Sequence, residues 1–278
     1  MSDLGPAYVP DVDVVIVAHN ADGYLRAAVD SVSGQVAPGR VVVVDAETTD
    51  GSVRALRTDR PGVRVIPARN RGFSASNNVG IAATTGAYVL LLNPDAELGD
   101  YSLHRLVARA EVDRRAGIIA PRVFDPDGSL QRGSFGAFPT LVTTLALHAG
   151  RLLDRARGGS GVARSERGTD VAPDWVTGAC MLVRRAAIED VGAMDEGFFL
   201  YFEDVEWCHR MRDHGWDIAV EPAAVCVHHL GKSGGGPDRT SQIYRESFYR
   251  YCSLYRLWGL AAFTRVGVAM RALRGGRS

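Results

Sequence analysis

Hydrophobic and polar positions alternate in blocks along the first hundred residues. Val12 to Ala18 (VDVVIVA) is a nearly continuous apolar run, the pattern of a strand buried on both faces. Asn20-Ala21-Asp22 then offers caps for a helix whose apolar positions are Tyr24, Leu25, Ala28 and Val32. The same strand, loop, helix order recurs. Val41 to Val44 precedes a helix through Val53 and Leu56, and Val63 to Ile66 precedes a helix from Ser74 to about Thr84. Tyr88 to Leu92 predicts a fourth strand, Tyr101 to Arg114 a helix and Gly117 to Val123 a fifth strand, closed by the turn Asp125-Pro-Asp-Gly-Ser129. Alternating units with short loops predict an α/β fold with a mostly parallel sheet covered by helices.

Beyond residue 130 the pattern loosens. Residues 131–173 hold an apolar patch, Phe135 to Leu147, and a Gly-rich polar stretch, ARGGSGVARSERGTD, and read as a flexible loop on the acceptor side. Strand character returns at Trp175 to Arg184. A helix then starts near Glu203, with Val205, Cys208 and Met211 as its buried stripe and Gly215 past its end. Trp216 to Val220 and Ala224 to Val227 predict two short strands. The division that follows is a tail (1–11), a main domain (12–236) and basic amphipathic helices (237–278).

Composition narrows the class. With 46% hydrophobic residues over 278 positions the chain can bury a sizeable core. Thirty-two Lys+Arg balance 32 Asp+Glu, so overall charge gives no case for nucleic acid. The four cysteines form no CxxC pair, which fits a reducing cytosol, and the polar N-terminus has no signal-peptide pattern. Gly231-Lys232-Ser233 mimics the end of a phosphate-binding loop, but Cys226 stands where that motif needs glycine.

Candidate chemistry collects at strand ends, where open α/β sheets bind ligands: His19 with Asn20, Asp45, Asn70 and Asp95 all fall there. Asp95 is a hard oxygen donor suited to Mg²⁺ or Mn²⁺, and His228, at a later strand end, could add an imidazole. In FFLYFEDVEWCHR, three carboxylates (Glu203, Asp204, Glu206) sit among aromatic residues. Helix capping and catalysis both account for acids in a first turn.

The ordered motifs VVIVAHN, VVVVDAETTDGS, ARNRGFSASNNVGIA, LLNPDAEL, WVTGACMLVRR, VGAMDEGFFLYFEDVEWCHRMRDHGW and VHHLGKS together resemble the family 2 inverting glycosyltransferases, nearest their rhamnosyltransferase-like branch. The resemblance spans roughly residues 12 to 233. It implies the GT-A fold, a Rossmann-like, mostly parallel central sheet flanked by helices, here with a C-terminal helical extension. It also implies a dTDP- or UDP-sugar donor, a divalent metal (Mg²⁺ or Mn²⁺) and inversion at the anomeric carbon. By residue, it implies that Asp45 reads the base, with Asp50 nearby, and that Asn70, Gly72, Phe73 and Asn78 wrap the nucleoside and phosphates. Asn93-Pro94-Asp95 matches the metal motif, with Asn93 in place of its first aspartate, and His228 matches the later metal ligand. Asp204 matches the general base. His19, Asn20 and Gly178 join the donor side, Gly178 as a point of close ligand approach. Trp175, Tyr201, Glu203 and Glu206 stand on the acceptor side; Glu206 replaces a more common Asp. Two other readings stand beside this one: a nucleotidyltransferase, and a catalytically silent sugar-nucleotide-binding module.

Residues 244–278 carry seven arginines against one acid, Glu246, interleaved with aromatic residues. The pattern fits helices lying on a membrane surface, with a glycan or polyprenol-linked acceptor, in a cytoplasmic enzyme peripheral to the inner face of the membrane. It equally fits a helical pair packed on the domain. No nucleic-acid motif accompanies it.

Overall fold

The computed structural model describes residues 8–21, 23–146, 172–229 and 237–275, and their side chains except those of 237, 238 and 268–275. The Gly-rich stretch 156–170 and the Gly231-Lys232-Ser233 segment lie outside the described residues. The elements are β1 (Val12–Ala18), α1 (Tyr24–Ser33), β2 (Val41–Ala46), α2 (Ser52–Asp59), β3 (Arg64–Ala68), α3 (Phe73–Ala82), β4 (Tyr88–Leu92), β5 (Ala96–Leu98), α4 (Ser102–Val112), β6 (Ala116–Phe124), β7 (Phe135–Gly136), β8 (Trp175–Val176), β9 (Cys180–Arg184), α5 (Arg185–Val191), α6 (Glu203–Asp213), β10 (Asp217–His228), α7 (Pro237–Leu254) and α8 (Trp258–Gly275).

Strand alternation builds the core. Val14, Ile16, Val43 and Leu90 enter one buried cluster, and Val15, Val42, Val44 and Leu91 enter the other. Because successive side chains point to opposite faces, a run apolar at every position must be covered on both sides. Helices α1, α2 and α4 cover the first face, and α3, α5 and α6 the second. Asp13 interrupts β1 because it serves backbone: it accepts from the N–H groups of Thr85 (2.9 Å) and Gly86 (2.6 Å), and Arg40 pairs with it at 3.2 Å.

The eight strands run in the order β3-β2-β1-β4-β9-β6-β10-β5. The expected parallel part is β3-β2-β1-β4, with a further parallel pair, β6 and β10. The sheet is mostly parallel as expected, with two antiparallel insertions: β9 between β4 and β6, and β5 beside β10. The two short strands expected at 216–227 are one strand, β10, whose register against β6 shifts between Glu221 and Val225. Part of the expected loop 131–173 is ordered. Gln131 and Ser134 are buried, and β7 pairs with β8. The last residues of the N-terminal tail also pack: Val9 is 4% exposed and bridges to Val36.

The C-terminal helices pack on the segment before α6. Phe248, Tyr251 and Cys252 of α7 and Leu260 of α8 share a buried cluster with Phe198, Phe202 and Val205. Burying each large side chain contributes about 1.5–3 kcal/mol. That outweighs the half-exposed Arg250–Asp195 pair at 2.7 Å, of a kind worth about 1 kcal/mol at most. Phe248 and Tyr251 of α7 are therefore core.

Gly72 sets the approach of the β3–α3 loop to this segment. Its φ is 103°, and a Cβ there would stand 2.7 Å from Phe199 Cα, while the Phe73 N–H donates to Phe199 O at 2.7 Å. Gly72→Ala is expected to cost about 1–3 kcal/mol in urea unfolding. Gly34→Ala, with open space around its Cβ, should stay within about 1 kcal/mol of the parent protein.

Candidate active site

Because β1, β2, β3 and β4 run parallel, their carboxyl ends share one edge, and the sequence-predicted residues gather along it in three groups. In the first, His19 Nδ1 lies 2.8 Å from Ala46 O and 3.3 Å from the Asn70 amide. Asp45 accepts from the Thr48 N–H at 3.0 Å, and Asn20 accepts from the Thr49 N–H at 2.8 Å. Asn20 and Glu47 adopt left-handed backbone, φ 51° and 58°, which folds the β1 and β2 loops toward each other. Asn70 Oδ1 receives the Gly72 N–H at 3.2 Å. Asp50 is brought elsewhere: its Oδ1 holds the N–H and hydroxyl of Ser52 at the start of α2.

The second group is Asn93, Asp95 and His228. Asp95 is 2% exposed and His228 is 6% exposed, with Asp95 Oδ1 3.2 Å from His228 Nε2. Gln131 decides the imidazole's orientation. Its Nε2 donates to Asp125 Oδ1 (2.7 Å) and His228 O (3.2 Å), so its Oε1 faces His228 Nδ1 at 2.9 Å and accepts the proton there. In the neutral ring Nε2 then presents a lone pair toward the Asp95 carboxylate, where two electron-rich atoms favour a cation between them. Asn93 Oδ1 is buried without a hydrogen-bond partner, and its Nδ2 lies 3.3 Å from Nε2. An amide oxygen, a carboxylate and an imidazole fit Mg²⁺ or Mn²⁺ completed by phosphate oxygens. Among the described residues no three His, Cys, Asp or Glu side chains gather as a metal cluster, so a cation here would need Asn93 and ligand oxygens as well.

The third group surrounds Asp204. Gly178 N–H donates to Asp204 Oδ2 at 2.9 Å, and Val205 N–H donates to Oδ1 at 2.8 Å. A Cβ on Gly178 would stand 3.3 Å from the Phe73 ring and 3.7 Å from Asp204 Cβ, so Phe73, Gly178 and Asp204 converge. One residue further, Ala179 O accepts the Asn93 N–H at 2.9 Å, which couples this group to the second. Tyr201 and Phe202 enter α6 with φ 70° and 67°, a rare conformation for bulky residues and a hallmark of functional strain. Phe202 packs edge-on against Tyr244 and Phe248 of α7, which holds that turn.

The neighbouring acids are electrostatically unequal. Glu203 is 4% exposed with Oε2 unpartnered; burial, and then the Asp204 charge, push its carboxyl well above the usual range. Burial also raises Asp204, but the Gly178 and Val205 N–H groups pull it back. Glu203 therefore keeps its proton while Asp204 is the member that ionises. Glu206 stands apart from the cleft: it makes a two-point pair with Arg210 (2.9 Å to each oxygen), whose guanidinium also binds Val191 O and Ala193 O. Asn78 is likewise a clamp, exchanging bonds with Met194 N and O and reaching Glu196. Trp175 donates from Nε1 to Ala137 O, and Tyr201 lies 5.6 Å from Tyr244.

Sequence reasoning missed Gln131 and Tyr244. Gln131 follows a turn with no motif around it. Tyr244 lay in a stretch read as membrane-facing, whereas burial and then the nearby Asp204 charge raise its phenol.

The fold that carries these three groups on one sheet edge is that of the GT-A glycosyltransferases. The family model for glycosyl transferase family 2 matches residues 13–192, and the chain belongs to that family of transferase enzymes. It is 31% identical over 238 residues to the N-acetylglucosaminyl-diphospho-decaprenol L-rhamnosyltransferase of Mycobacterium tuberculosis, covering 80% of this chain and 77% of the relative. It is 22% identical to the rhamnosyltransferase WbbL of Escherichia coli, over 92% of this chain and 97% of the relative. The fold matches a mannosyltransferase of Pyrobaculum calidifontis solved in complex with GDP-Man and Mn²⁺, with TM-score 0.59 and 18% identity, over 89% of this chain and 66% of that one.

The raised Glu203 carboxyl makes stability pH-dependent. The folded protein holds this proton at pH values where the unfolded chain has lost it. Stability therefore falls as pH rises from the ordinary carboxylate value of 4.5 through the folded value. Glu203→Gln is expected to remove this slope and to raise Tm at pH 8 by about 2–4 °C, with the two proteins converging near pH 4 in thermal melts.

Proposed function

We propose that the protein transfers a sugar, with rhamnose from dTDP-rhamnose the leading candidate, from a dTDP- or UDP-linked donor to a glycan or polyprenol-linked acceptor, with inversion. The observation that carries this reading is the joining of Asp204 to the Asn93–Asp95–His228 group through consecutive residues, Gly178 and Ala179. A base and a diphosphate-binding set held by one backbone segment can face opposite sides of a single anomeric carbon. The rhamnosyltransferase names of the two relatives support the choice of sugar. The decaprenol-linked acceptor in the first name supports a lipid-linked acceptor, and with it work at the cytoplasmic face of a membrane.

In this reading, His19, Asn20, Asp45 and Asn70 bind the nucleoside along the β1–β3 edge, and Gly72 and Phe73 wall its phosphate side. Asn93, Asp95 and His228 would hold Mg²⁺ or Mn²⁺, which when bound supplies positive charge to the departing diphosphate. Asp204, ionised and half-buried, takes the proton from the acceptor hydroxyl as its oxygen attacks. Burial above the ordinary carboxylate range makes it a stronger base, and the Gly178 and Val205 N–H groups hold both oxygens in place. Tyr201, Tyr244 and Trp175 form aromatic walls on the acceptor side, where a sugar ring can stack. Glu203, buried and protonated, keeps a second negative charge away from the base.

Three measurements test the reading. Release of free nucleoside diphosphate from a panel of donors with Mg²⁺ or Mn²⁺ should single out a dTDP- or UDP-sugar; release from none would reject it. Asp204→Asn should lower kcat by about 10²–10⁴-fold while donor affinity changes little, read by turnover and calorimetry. Gln131→Leu, which removes the acceptor that orients His228, should weaken Mn²⁺ binding by roughly 10–100-fold, as followed by Mn²⁺ paramagnetic resonance.

A further inference from the structure

The two C-terminal helices have an inner and an outer face with different chemistry. Inward, α7 grips the catalytic segment at nearly every turn. Ser247 donates to Leu200 O at 2.8 Å, Arg250 binds Asp195, and Tyr251 Oη meets His209 Nδ1 at 2.8 Å. The outer face has no such work. Trp258 is 62% exposed, Val266 is 56% and Leu254 is 48%. Trp258 and Val266, eight residues apart on α8, lie on one side of it. Residues 141–146 run beside the first turn of α8, with Leu141 Cδ2 3.5 Å from where a Gly259 Cβ would stand. They add Val142, 76% exposed, and Leu145, 45% exposed.

Between α7 and α8 opens a groove of ≈ 590 Å³, lined chiefly by Tyr249, Trp258, Ala261, Ala262 and Val266. Arg265 stands at its lip, with its guanidinium 4.9 Å from the Tyr249 ring centroid. Trp207 is fully buried and Trp175 and Trp216 are half-buried, so among the tryptophans Trp258 is the exposed one. From residue 247 to 278 the chain carries six arginines, at 250, 256, 265, 271, 274 and 277, and no acid. Among those whose side chains are described (250, 256 and 265), Arg250 is the one paired with a carboxylate.

An apolar surface with a tryptophan at its edge, ringed by arginine without acids, complements a surface that is apolar below and anionic above. A second copy of the chain would bring the same positive charge against it. No described helix is long and apolar enough to cross a membrane, so contact rather than crossing is the mode. We propose that this outer face, the α7–α8 groove with residues 141–146, seats the protein on an anionic phospholipid bilayer. Trp258, Val266, Val142 and Leu145 enter the acyl boundary, and Arg256 and Arg265 meet the headgroups. The catalytic segment lies against the opposite face of α7, so the cleft stands roughly 10 Å, one helix diameter, above the lipid. That distance suits an acceptor whose tail stays in the bilayer, a consequence that rests on the transfer reading; the membrane contact itself does not.

The test uses the full chain, without donor or acceptor, and phosphatidylcholine vesicles with or without phosphatidylglycerol. The protein should co-sediment with the phosphatidylglycerol vesicles and be released by high salt. Tryptophan emission should shift to the blue and be quenched by brominated acyl chains. Trp258→Phe should keep binding but lose most of that signal. Trp258→Glu and Val142→Asp should each weaken partitioning about tenfold, with unchanged circular dichroism and Tm. Protein left in the supernatant with phosphatidylglycerol vesicles would overturn the proposal. So would undiminished binding by Trp258→Glu, or a soluble dimer that this variant dissociates. Nucleoside diphosphate release in the same preparation reports on transfer separately, so either idea can fail alone.

Discussion

The cleft depends on the backbone at Gly178 and Ala179. The Gly178 N–H holds the Asp204 carboxylate, and the next residue's carbonyl receives the N–H of Asn93, at the head of the Asn93–Asp95–His228 group. Asp204 and the Asn93–Asp95–His228 group are thus tied to consecutive residues of one backbone segment. Gly178 lets the chain pass close beneath Phe73 and beside Asp204: a Cβ there would stand 3.3 Å from the Phe73 ring, which would have to give by a few tenths of an ångström. The antiparallel strand β9 continues from this point between β4 and β6, so the segment is anchored by hydrogen bonds on both sides.

Glu203 and Asp204 show how environment divides labour between adjacent acids. They share a helix turn, but Asp204 receives two backbone donors and Glu203 Oε2 receives none. In a buried setting, where an uncompensated charge is costly, that difference decides which one ionises. The third acid, Glu206, is neutralised by Arg210 and works as a brace between α6 and the chain after α5. The helix start at Phe202 carries no side-chain cap and Glu206 is spent on Arg210, so capping does not account for the acids, and catalysis by Asp204 is the reading proposed above.

The helix α7 makes the C-terminal region part of the catalytic architecture. Its buried face pins the left-handed turn at Tyr201 and Phe202 that leads into Asp204, and its Tyr244 lies near enough to feel the Asp204 charge. Strain of this kind persists only where surrounding packing over-determines it. The reading of this aromatic, basic segment as packed on the domain holds for the inner face of α7, and membrane contact of the outer face is the proposal made above. Helical periodicity alone could not divide the aromatic residues, because both faces of α7 carry them.

The sequence by itself determined the βα alternation, the buried strands β1, β2 and β4, the helix from Glu203 and the strand-end location of His19, Asp45, Asn70 and Asp95. These follow from local periodicity, turn residues and the requirement that a run apolar on both faces be covered. The ordered motifs determined the family. Tertiary structure alone decided that β9 runs antiparallel, that Gln131 orients His228, that Asn78, Asp50 and Glu206 bond to neighbouring protein groups, and which of two adjacent acids ionises. Each of these depends on distant partners, as with Gln131 and His228 across 97 residues and Asn78 and Met194 across 116, on burial, or on a short-range bond whose choice the whole site makes. Hydrophobic pattern specifies which faces are inside; it carries no record of which polar atoms meet once they are there.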